Sequence, residues 1–305
     1  MNEPCLLDLS KAALVNRYLA AYPPVISEHT FTNLFAWRET KPIHLYETAN
    51  TLIFLAKTGI CRNDELMIMG PPAGKLNLAE VFRELGDRVI GGIRLTGTAV
   101  EGVANGSYLI NPDPDNSDYV YLVRDLAELK GRAYAKKRSQ ARQCRKHYDC
   151  IFEPITTDNL DECENLLARW CHSRDCAGDP GLHGESRAIR TTLDHFTDFN
   201  LLGGAVRVDG TIEAFSIGER LNRDTAVCHF EKAMPEINGL NQLVNQWFAK
   251  YCLTGFKYIN REQDLGIPGL RQAKESYHPD HLVEKFEVLR DSVAERANIK
   301  PIRNI

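Results

Sequence analysis

Two spacings of apolar residues recur along the chain, and the spacing in each segment predicts its element. A period of 3.6 residues indicates an amphipathic helix, whereas a period of two indicates a half-buried strand. The first half is predicted as two helices, three strands, a helix and a strand. The second half is predicted as a strand, two helices, three strands, a helix, a strand, a short helix and a strand. Since the order of the first half recurs in the second, the pattern predicts a duplicated mixed α/β architecture.

The predicted elements fall into two domains. The chain has 305 residues, which is more than one average domain needs. We predict an N-terminal domain over residues 1–125, a linking helix over 126–148, and a C-terminal domain over 149–305 that holds the active cleft. This division assigns the predicted strand Tyr119–Val123 to the first domain and the last predicted strand, His281–Leu289, to the second.

One helix of the second half combines an apolar face with a polar N-terminal end. Its apolar positions, predicted to pack on a sheet, are Leu240, Leu243, Val244, Trp247, Phe248 and Tyr251. Its first turn carries Asn238, Gly239 and Asn241. Because a helix N-terminus presents unpaired N–H groups and partial positive charge, we expect these three residues to bind a phosphate or a developing oxyanion. The alternative is an ordinary strand–helix–strand connection.

The strand before this helix ends in two charged residues, Glu231 and Lys232. Since neighbours in a strand point to opposite faces, only one of them can face the cleft. We predict Lys232 as the electrostatic contact to substrate and Glu231 as the reserve proton acceptor. The alternative is that both side chains merely occupy a solvated strand end.

A polar loop follows the next strand, Phe256–Asn260. Open α/β sheets bind ligands beyond strand ends of this kind. Arg261, Arg271 and Lys274 are candidates for binding phosphate or carboxylate, and Tyr277 for an acid or hydrogen-bond donor. The other predicted binding residues of this loop are Asn260, Glu262 and Asp264. The alternative is an internal salt-bridge network, such as Arg261 with Asp264, that only fixes the loop.

A concentrated run of cations lies between Leu126 and His147. The chain as a whole has a net charge of −4 and a sequence pI near 6.2, so any contact with a polyanion must be local. The predicted nucleic-acid or phosphate contacts are Lys136, Lys137, Arg138, Arg142 and Arg145. The alternative is a solvated helix that joins the two domains.

Nine cysteines without a framework spacing favour reduced thiols. The cluster around Cys171 and His172 matches no zinc spacing, so we expect no metal. The N-terminus lacks the apolar core of a signal peptide, and no apolar run is long enough to span a bilayer. We therefore expect a cytoplasmic protein.

Three sequence blocks resemble a known family. They are LVRDLAELKGRAYAKKRSQARQC, HFEKAMPEINGLNQLVNQWFAKY and YINREQDLGIPGLRQAKESYHP. They look like the motif blocks of an uncharacterised family related to the C-terminal domain of phosphatidylglycerol lysyltransferase, and the order of elements resembles the tandem acetyltransferase-like domains of Fem-type aminoacyl transferases. The resemblance implies two GNAT-like domains and transfer of an aminoacyl group from aminoacyl-tRNA to an amine or hydroxyl of a lipid or small molecule.

Two departures from these relatives bear on donor and acceptor. Full lysyltransferases carry membrane helices before this domain and this sequence has none, so we expect no lipid flipping. The acetyl-CoA signature is replaced by Met234–Leu240, which contains a single glycine, and fewer glycines hinder close approach of the backbone to a pyrophosphate. A CoA-dependent acyltransferase and a non-catalytic tRNA-, lipid- or ligand-binding protein remain the alternatives.

Overall fold

A computed structural model describes residues 3–48, 50–103 and 108–299. The elements up to residue 122 are β1 Cys5–Leu6, α1 Ala12–Ala21, α2 Phe31–Ala36, β2 Ile43–Thr48, β3 Thr51–Ala56, β4 Leu66–Met69, β5 Ala73–Gly74, α3 Leu78–Leu85, β6 Val89–Thr96, α4 Gly97–Val100, β7 Tyr108–Pro112 and β8 Asp118–Leu122. The later elements are α5 Val123–Glu128, α6 Ala135–His147, β9 Cys150–Pro154, α7 Leu160–Arg174, α8 Pro180–Asp194, β10 Leu202–Val208, β11 Thr211–Arg220, β12 Thr225–Ala233, α9 Leu240–Trp247, β13 Tyr258–Asn260, α10 Pro268–Glu275, β14 His281–Val283, β15 Lys285–Arg290 and α11 Asp291–Arg296.

The contacts within the chain define two compact units. The first unit contains residues 1–118, 263–271 and 282–305, and the second contains residues 119–262 and 272–281. This division differs from the predicted boundaries at 125 and 148, because β8 belongs largely to the second unit and β15 to the first. The residue pattern of a strand identifies it as a strand, but it does not name the strand with which it pairs.

The first unit is built on an eight-stranded mixed sheet. Its strands run in the order β1-β2-β3-β4-β6-β15-β7, with β5 paired to β3. The pairing of β4 with β6 is parallel, and β15 is antiparallel to both β6 and β7. Side chains of α3 pack on this sheet, since Val81 and Phe82 share a core with Ile53, Ile68 and Val288. The helix begins in a reciprocal capping box between Asn77 and Glu80.

A buried ion cluster joins three distant segments of the first unit. The Lys285 ammonium lies 2.6 Å from Oε2 of Glu28 and 2.6 Å from Oδ1 of Asp118. The side chains of Lys285 and Asp118 are 0% exposed. Ser27 adds hydrogen bonds from its backbone N–H and its hydroxyl to the Asp118 carboxylate. Burial costs each charge its hydration, and this cost is offset only while all the partners are present.

The second unit is built on a seven-stranded sheet in the order β14-β8-β13-β12-β11-β10-β9. Neighbouring strands from β9 to β12 are antiparallel, whereas β12 and β13 are parallel, as expected for two strands joined by a helical crossover. Helix α9 packs Leu240, Leu243 and Val244 into a core with Val206 and Ala214 of the sheet.

The predicted apolar face of α9 is correct except at its end. Leu240 to Phe248 supply buried positions as predicted, but Tyr251 is 48% exposed. The chain forms a π-helical segment over Phe248–Cys252. Because a π-turn holds more residues than an α-turn, it rotates later side chains out of the 3.6-residue register. The Tyr251 ring packs on Phe152, with 4.7 Å between ring centroids.

Gly239 lies where α6 and α9 approach most closely. Its φ is +83°, and a Cβ added there would lie 2.2 Å from the carbonyl oxygen of Gln140 in α6. No other residue type fits both the backbone conformation and the space. The N-terminus of α9 is therefore covered by backbone of α6.

Replacing Gly239 by alanine is expected to destabilise the protein by more than the roughly 1–2 kcal/mol of a left-handed backbone alone, because α6 must also move. Urea denaturation measures the change in unfolding free energy. The matched control is Gly255→Ala, since Gly255 has φ +95° but no atom within 4 Å of its added Cβ. Equal losses in the two variants would contradict the role of close packing.

Two sequence expectations are corrected in the second unit. The segment predicted as one helix over 126–148 is two helices, α5 and α6, because Leu129 and Gly131 both have positive φ and end the first helix. The cysteines are not all free thiols, since Cys171 and Cys176 form a disulfide at the end of α7. Their spacing of five residues follows no common framework, so the pattern gave no sign of the pairing.

Candidate active site

The second sheet opens where its two parallel strands separate. Thr225–Val227 of β12 pair with Tyr258–Asn260 of β13, and beyond these residues β12 continues to Ala233 with only β11 as its partner. The register between β11 and β12 also shifts between Ile217 and Gly218, which indicates a bulge in this stretch. Carboxyl ends of parallel strands are where α/β sheets place their ligands.

A salt bridge lies in this opening. Nη2 of Arg261, in the loop after β13, is 2.8 Å from Oε1 of Glu231 in β12. The amide oxygen of Asn245 in α9, oriented by its hydrogen-bond partners, accepts from Nη1 and Nη2 of Arg261 at 2.6 and 3.0 Å. Both charged side chains are mostly buried, with 16% and 17% exposed. The predicted residues Glu231 and Arg261 are thus brought together.

The predicted acid, Tyr277, belongs to the same cluster. The Arg261 guanidinium lies 5.5 Å from the centroid of its ring, and the Lys137 ammonium lies 4.2 Å from it. Within the described part of the chain the Tyr277 hydroxyl makes no hydrogen bond, whereas its backbone carbonyl accepts one from the Tyr134 hydroxyl at 3.0 Å. The cluster therefore groups two cations around the Tyr277 ring, one of which, Arg261, is paired with Glu231.

The backbone around Arg261 is held at both ends. Its N–H donates to the carbonyl of Tyr119 at 2.9 Å, and its own carbonyl accepts from the Lys274 ammonium. Asn260 is fully buried, and its side-chain oxygen accepts from the N–H of Glu262 at 2.8 Å. Asn260 and Lys274 thus shape the loop that presents Arg261.

Burial dominates the electrostatics of this cluster. It raises the pKa of the Tyr277 hydroxyl, so this residue stays protonated at neutral pH. Burial, Arg261 and Lys136 lower the pKa of Lys137. For Arg261 burial lowers the pKa, but Glu231 together with Cys228, Tyr121 and Tyr277 outweighs burial, and the net pKa is raised. The cluster therefore offers a fixed guanidinium and a protonated phenol to a ligand.

Lys232 lies on the opposite face of the sheet. Its ammonium is 2.7 Å from Oε2 of Glu185 in α8 and 4.0 Å from the centroid of the Trp170 ring in α7. The structure therefore separates Lys232 from Glu231, as strand alternation requires. With Lys232 paired to Glu185, Arg261 is the cation that the opening presents.

The predicted anion site at the start of α9 has mixed surroundings. Asn238 and Asn241 are exposed, whereas Gly239 is buried against Gln140. Asn245, one helical turn after Asn241, is buried and reaches Arg261. The polar side of the helix thus contributes to the cluster through Asn245, which was not among the predicted binding residues.

Two of the predicted loop residues belong to the first unit. Nε and Nη2 of Arg271 donate to the two oxygens of the Asp264 carboxylate at 2.7 and 3.0 Å. Nη2 also donates to Asp115 at 2.7 Å. The side chain of Asp264 is fully buried and also accepts from the N–H of Gly266. Asp264 and Arg271 thus form an internal network. Asp264 is paired with Arg271 and Arg261 with Glu231, whereas the sequence had suggested a pair of Arg261 with Asp264.

The predicted basic surface divides into two kinds of residue. Lys137 points to Tyr277, and Arg138 donates to the carbonyls of Leu129 and Gly131, so these two have structural partners. Lys136, Arg142 and Arg145 are exposed and make no ion pair within the described residues. The second group is therefore exposed without an ion-pair partner in the described part of the chain, which leaves it available to an external polyanion.

His229 is a further residue that the sequence reading missed. It lies in β12 with its imidazole between two carboxylates, 2.8 Å from Glu262 and 2.9 Å from Glu219. The pattern HFEK could have suggested it, since a histidine in a buried strand needs polar partners.

Among residues 3–48, 50–103 and 108–299, no three or more histidine, cysteine or carboxylate side chains are grouped so as to hold a metal ion. Within the same residues, every helix is too short or too polar to cross a bilayer. The cytoplasmic location stays a prediction.

Comparison with protein families gives one match that spans most of the chain. Residues 19–288 match the family described as phosphatidylglycerol lysyltransferase, C-terminal. No curated protein is similar enough in sequence to be matched to the chain.

Solved structures of similar proteins cover nearly the whole chain. A conserved Bacteroides thetaiotaomicron protein of unknown function is 30% identical, with a TM-score of 0.86 over 95% of this chain and 100% of its own. The L-PGS of Bacillus licheniformis is 14% identical, with a TM-score of 0.65 over 99% and 100% of the two chains. FemX is 8% identical, with a TM-score of 0.62 over 97% and 100%. The last two show the fold alone, and they confirm the predicted pair of acetyltransferase-like mixed α/β domains.

Proposed function

The chain belongs to the family of phosphatidylglycerol lysyltransferase C-terminal domains, and from this premise we propose that it transfers an aminoacyl group from aminoacyl-tRNA to an amine or hydroxyl acceptor. The family match over residues 19–288 carries the proposal. The name of that family describes an aminoacyl transfer to a lipid. The acceptor here is a lipid or a small molecule that carries a nucleophilic nitrogen or oxygen.

The reaction is an acyl exchange in which charge moves through a tetrahedral intermediate. The acceptor nitrogen or oxygen attacks the ester carbonyl carbon, and the C–O bond to the terminal ribose of the tRNA breaks. The proton leaves the nucleophile and reaches the departing ribose oxygen. The protein therefore has to stabilise an oxyanion and guide one proton.

The Glu231–Arg261–Tyr277 cluster supplies groups suited to both tasks. Arg261 is a fixed cation with unused N–H donors, which suits the carbonyl oxygen as it becomes negative. The Tyr277 hydroxyl is a protonated donor without a partner in the described residues, which suits the leaving ribose oxygen. Glu231 holds Arg261 in place and is the nearest carboxylate for the acceptor proton. Lys232 supports the proposed site from the far face of β12.

The exposed cations of α6 suit the donor. Lys136, Arg142 and Arg145 lie on the helix that also sends Lys137 into the cluster. Phosphate contacts of such side chains give affinity that falls with salt because counterions are released. A tRNA bound along α6 would bring its acylated end toward Tyr277.

Changing Lys136, Arg142 and Arg145 together to glutamine is expected to weaken binding of aminoacyl-tRNA. The slope of log affinity against log salt should fall by about 2 to 3, at roughly 0.7–0.9 for each lost phosphate contact. Filter binding over a salt series measures it. The control triple Lys75→Gln, Arg83→Gln and Arg88→Gln removes the same charge from other exposed positions.

The transfer itself is tested with tRNA charged with a radiolabelled amino acid and a lipid or amine extract as acceptor. Label that moves from tRNA to an organic-soluble or small product supports the proposal. Turnover with acyl-CoA instead, or binding of charged tRNA without turnover by the purified protein, would replace it with one of the alternatives stated from the sequence.

A further inference from the structure

A buried histidine bridges two carboxylates beside the proposed site. Nδ1 of His229 is 2.8 Å from Oε1 of Glu262, and Nε2 is 2.9 Å from Oε1 of Glu219. The His229 side chain is 1% exposed. Glu219 comes from β11 and Glu262 from the loop after β13, and both carboxylates face the imidazole.

Only the doubly protonated ring suits this geometry. Ionised carboxylates accept hydrogen bonds and cannot donate them, so each nitrogen of His229 must carry a proton to bond both. A neutral imidazole would point one lone pair at a carboxylate oxygen less than 3 Å away. One of the two glutamates would then have to turn away or take up a proton.

Glu262 is the residue next to Arg261, and its conformation is unfavourable. Its φ is +57°, a left-handed conformation that costs a non-glycine residue roughly 1 kcal/mol or more. Its carbonyl accepts from the N–H of Tyr119, and its N–H donates to Asn260. The hydrogen bond from His229 fixes the side chain of Glu262, whose backbone groups are already held. The turn that aims Arg261 at Glu231 is therefore closed by His229.

We propose that His229, as an imidazolium, is a positioning residue that clamps Glu262 and so orients Arg261 for the transfer reaction. The proposal deepens the proposed function and rests on it for the role of Arg261. It does not require His229 to touch substrate. It assigns the histidine of the HFEK block to holding the site loop rather than to acid–base chemistry.

The His229 imidazole is positively charged over a defined pH range. Burial lowers the pKa of His229, but its hydrogen bonds to Glu219 and Glu262, together with the negative charges of both, outweigh burial and raise the pKa to about 9. Because the folded pKa lies above the value of about 6.5 for a free histidine, the clamp contributes its full stability below pH 6.5. This contribution falls as pH rises through about 9.

The protonation state of His229 and the environment of Arg261 are measured by NMR, and the transfer reaction is measured separately. Nitrogen-15 NMR of labelled histidine should show one imidazole protonated at both nitrogens at pH 7, absent in His229→Gln and present in the control His281→Gln. Glu262→Gln should lower the titration midpoint of the His229 imidazole by one unit or more. The Arg261 Nε–H signal should shift in His229→Gln and in Glu262→Gln, but not in the control. If His229→Gln fails to fold, Glu262→Gln still gives the lowered titration midpoint of His229 and the shifted Arg261 signal.

In transfer assays His229→Gln should lower kcat about 10- to 100-fold at pH 7, and the ratio of wild-type to variant kcat should approach one above pH 9. A neutral His229 at pH 7, or an unmoved Arg261 signal in both variants, would overturn the clamp. Absence of transfer by the wild-type protein would instead remove the proposed function, while the NMR signals still decide whether His229 positions Arg261.

Discussion

Replacing Arg261 by lysine is expected to lower kcat for aminoacyl transfer by about 100-fold or more, the range seen when one donor to a developing oxyanion is removed. Lysine keeps the positive charge but loses the planar fork that reaches both Glu231 and Asn245. Single-turnover kinetics with charged tRNA measures the chemical step without the effect of product release.

Stability has to be separated from catalysis at this position. Removing Arg261 alone leaves the mostly buried Glu231 unpaired, which costs several kcal/mol in comparable sites. The double variant Glu231→Gln/Arg261→Gln removes both charges, so it should regain stability in urea denaturation but remain inactive. A double variant that transfers at the wild-type rate would show that Arg261 has only a structural role.

Replacing Lys285 by methionine is expected to lower the free energy of unfolding by about 3–5 kcal/mol, the largest stability change that we expect from a single substitution. Methionine is close to lysine in volume and lacks the ammonium, so the change mainly removes charge. Glu28 and Asp118 then keep two carboxylates in the interior of the first unit without the ammonium that lies 2.6 Å from each. Urea denaturation of the full chain measures the loss.

The control variants isolate charge as the cause. Lys75→Met makes the same chemical change at an exposed position of the first unit and should have little effect. Combining Lys285→Met with Glu28→Gln and Asp118→Asn removes all three charges and should restore most of the lost stability. An unfolding free energy of Lys285→Met equal to that of the wild type would mean that the cluster contributes nothing net.

Much of the fold could be predicted from local pattern. The three strands β10, β11 and β12 were predicted in order, and helical spacing identified α9 because that helix has one apolar face. Pattern failed where non-local pairing decides the outcome. The strand β15 was placed in the C-terminal domain, yet it pairs with β6 and β7, since its residues Lys285 to Arg290 carry no sign of their partners.

The candidate site was predicted in part for the same reason. Polar residues at strand ends drew attention to Glu231, Arg261 and Tyr277, which the structure brings together. Lys232 received more weight than Arg261, because spacing gives the relative faces of neighbours but not which face is open. Asn245 was placed on the polar face of its helix but not among the binding residues, and His229 was missed. A polar residue inside a helix or strand becomes informative only when its partners are known.

The return of β15 to the first sheet has a consequence for synthesis on the ribosome. Strands β6 and β7 are not neighbours in that sheet, because β15 lies between them. The first sheet therefore cannot be completed until the residues after 285 have left the exit tunnel, so nascent chains of up to 280 residues expose an unfilled gap between two edge strands. The segment Lys285–Arg290 acts as the closing strand of the first sheet, and a stop codon before Lys285 would leave an aggregation-prone chain rather than a shorter folded one.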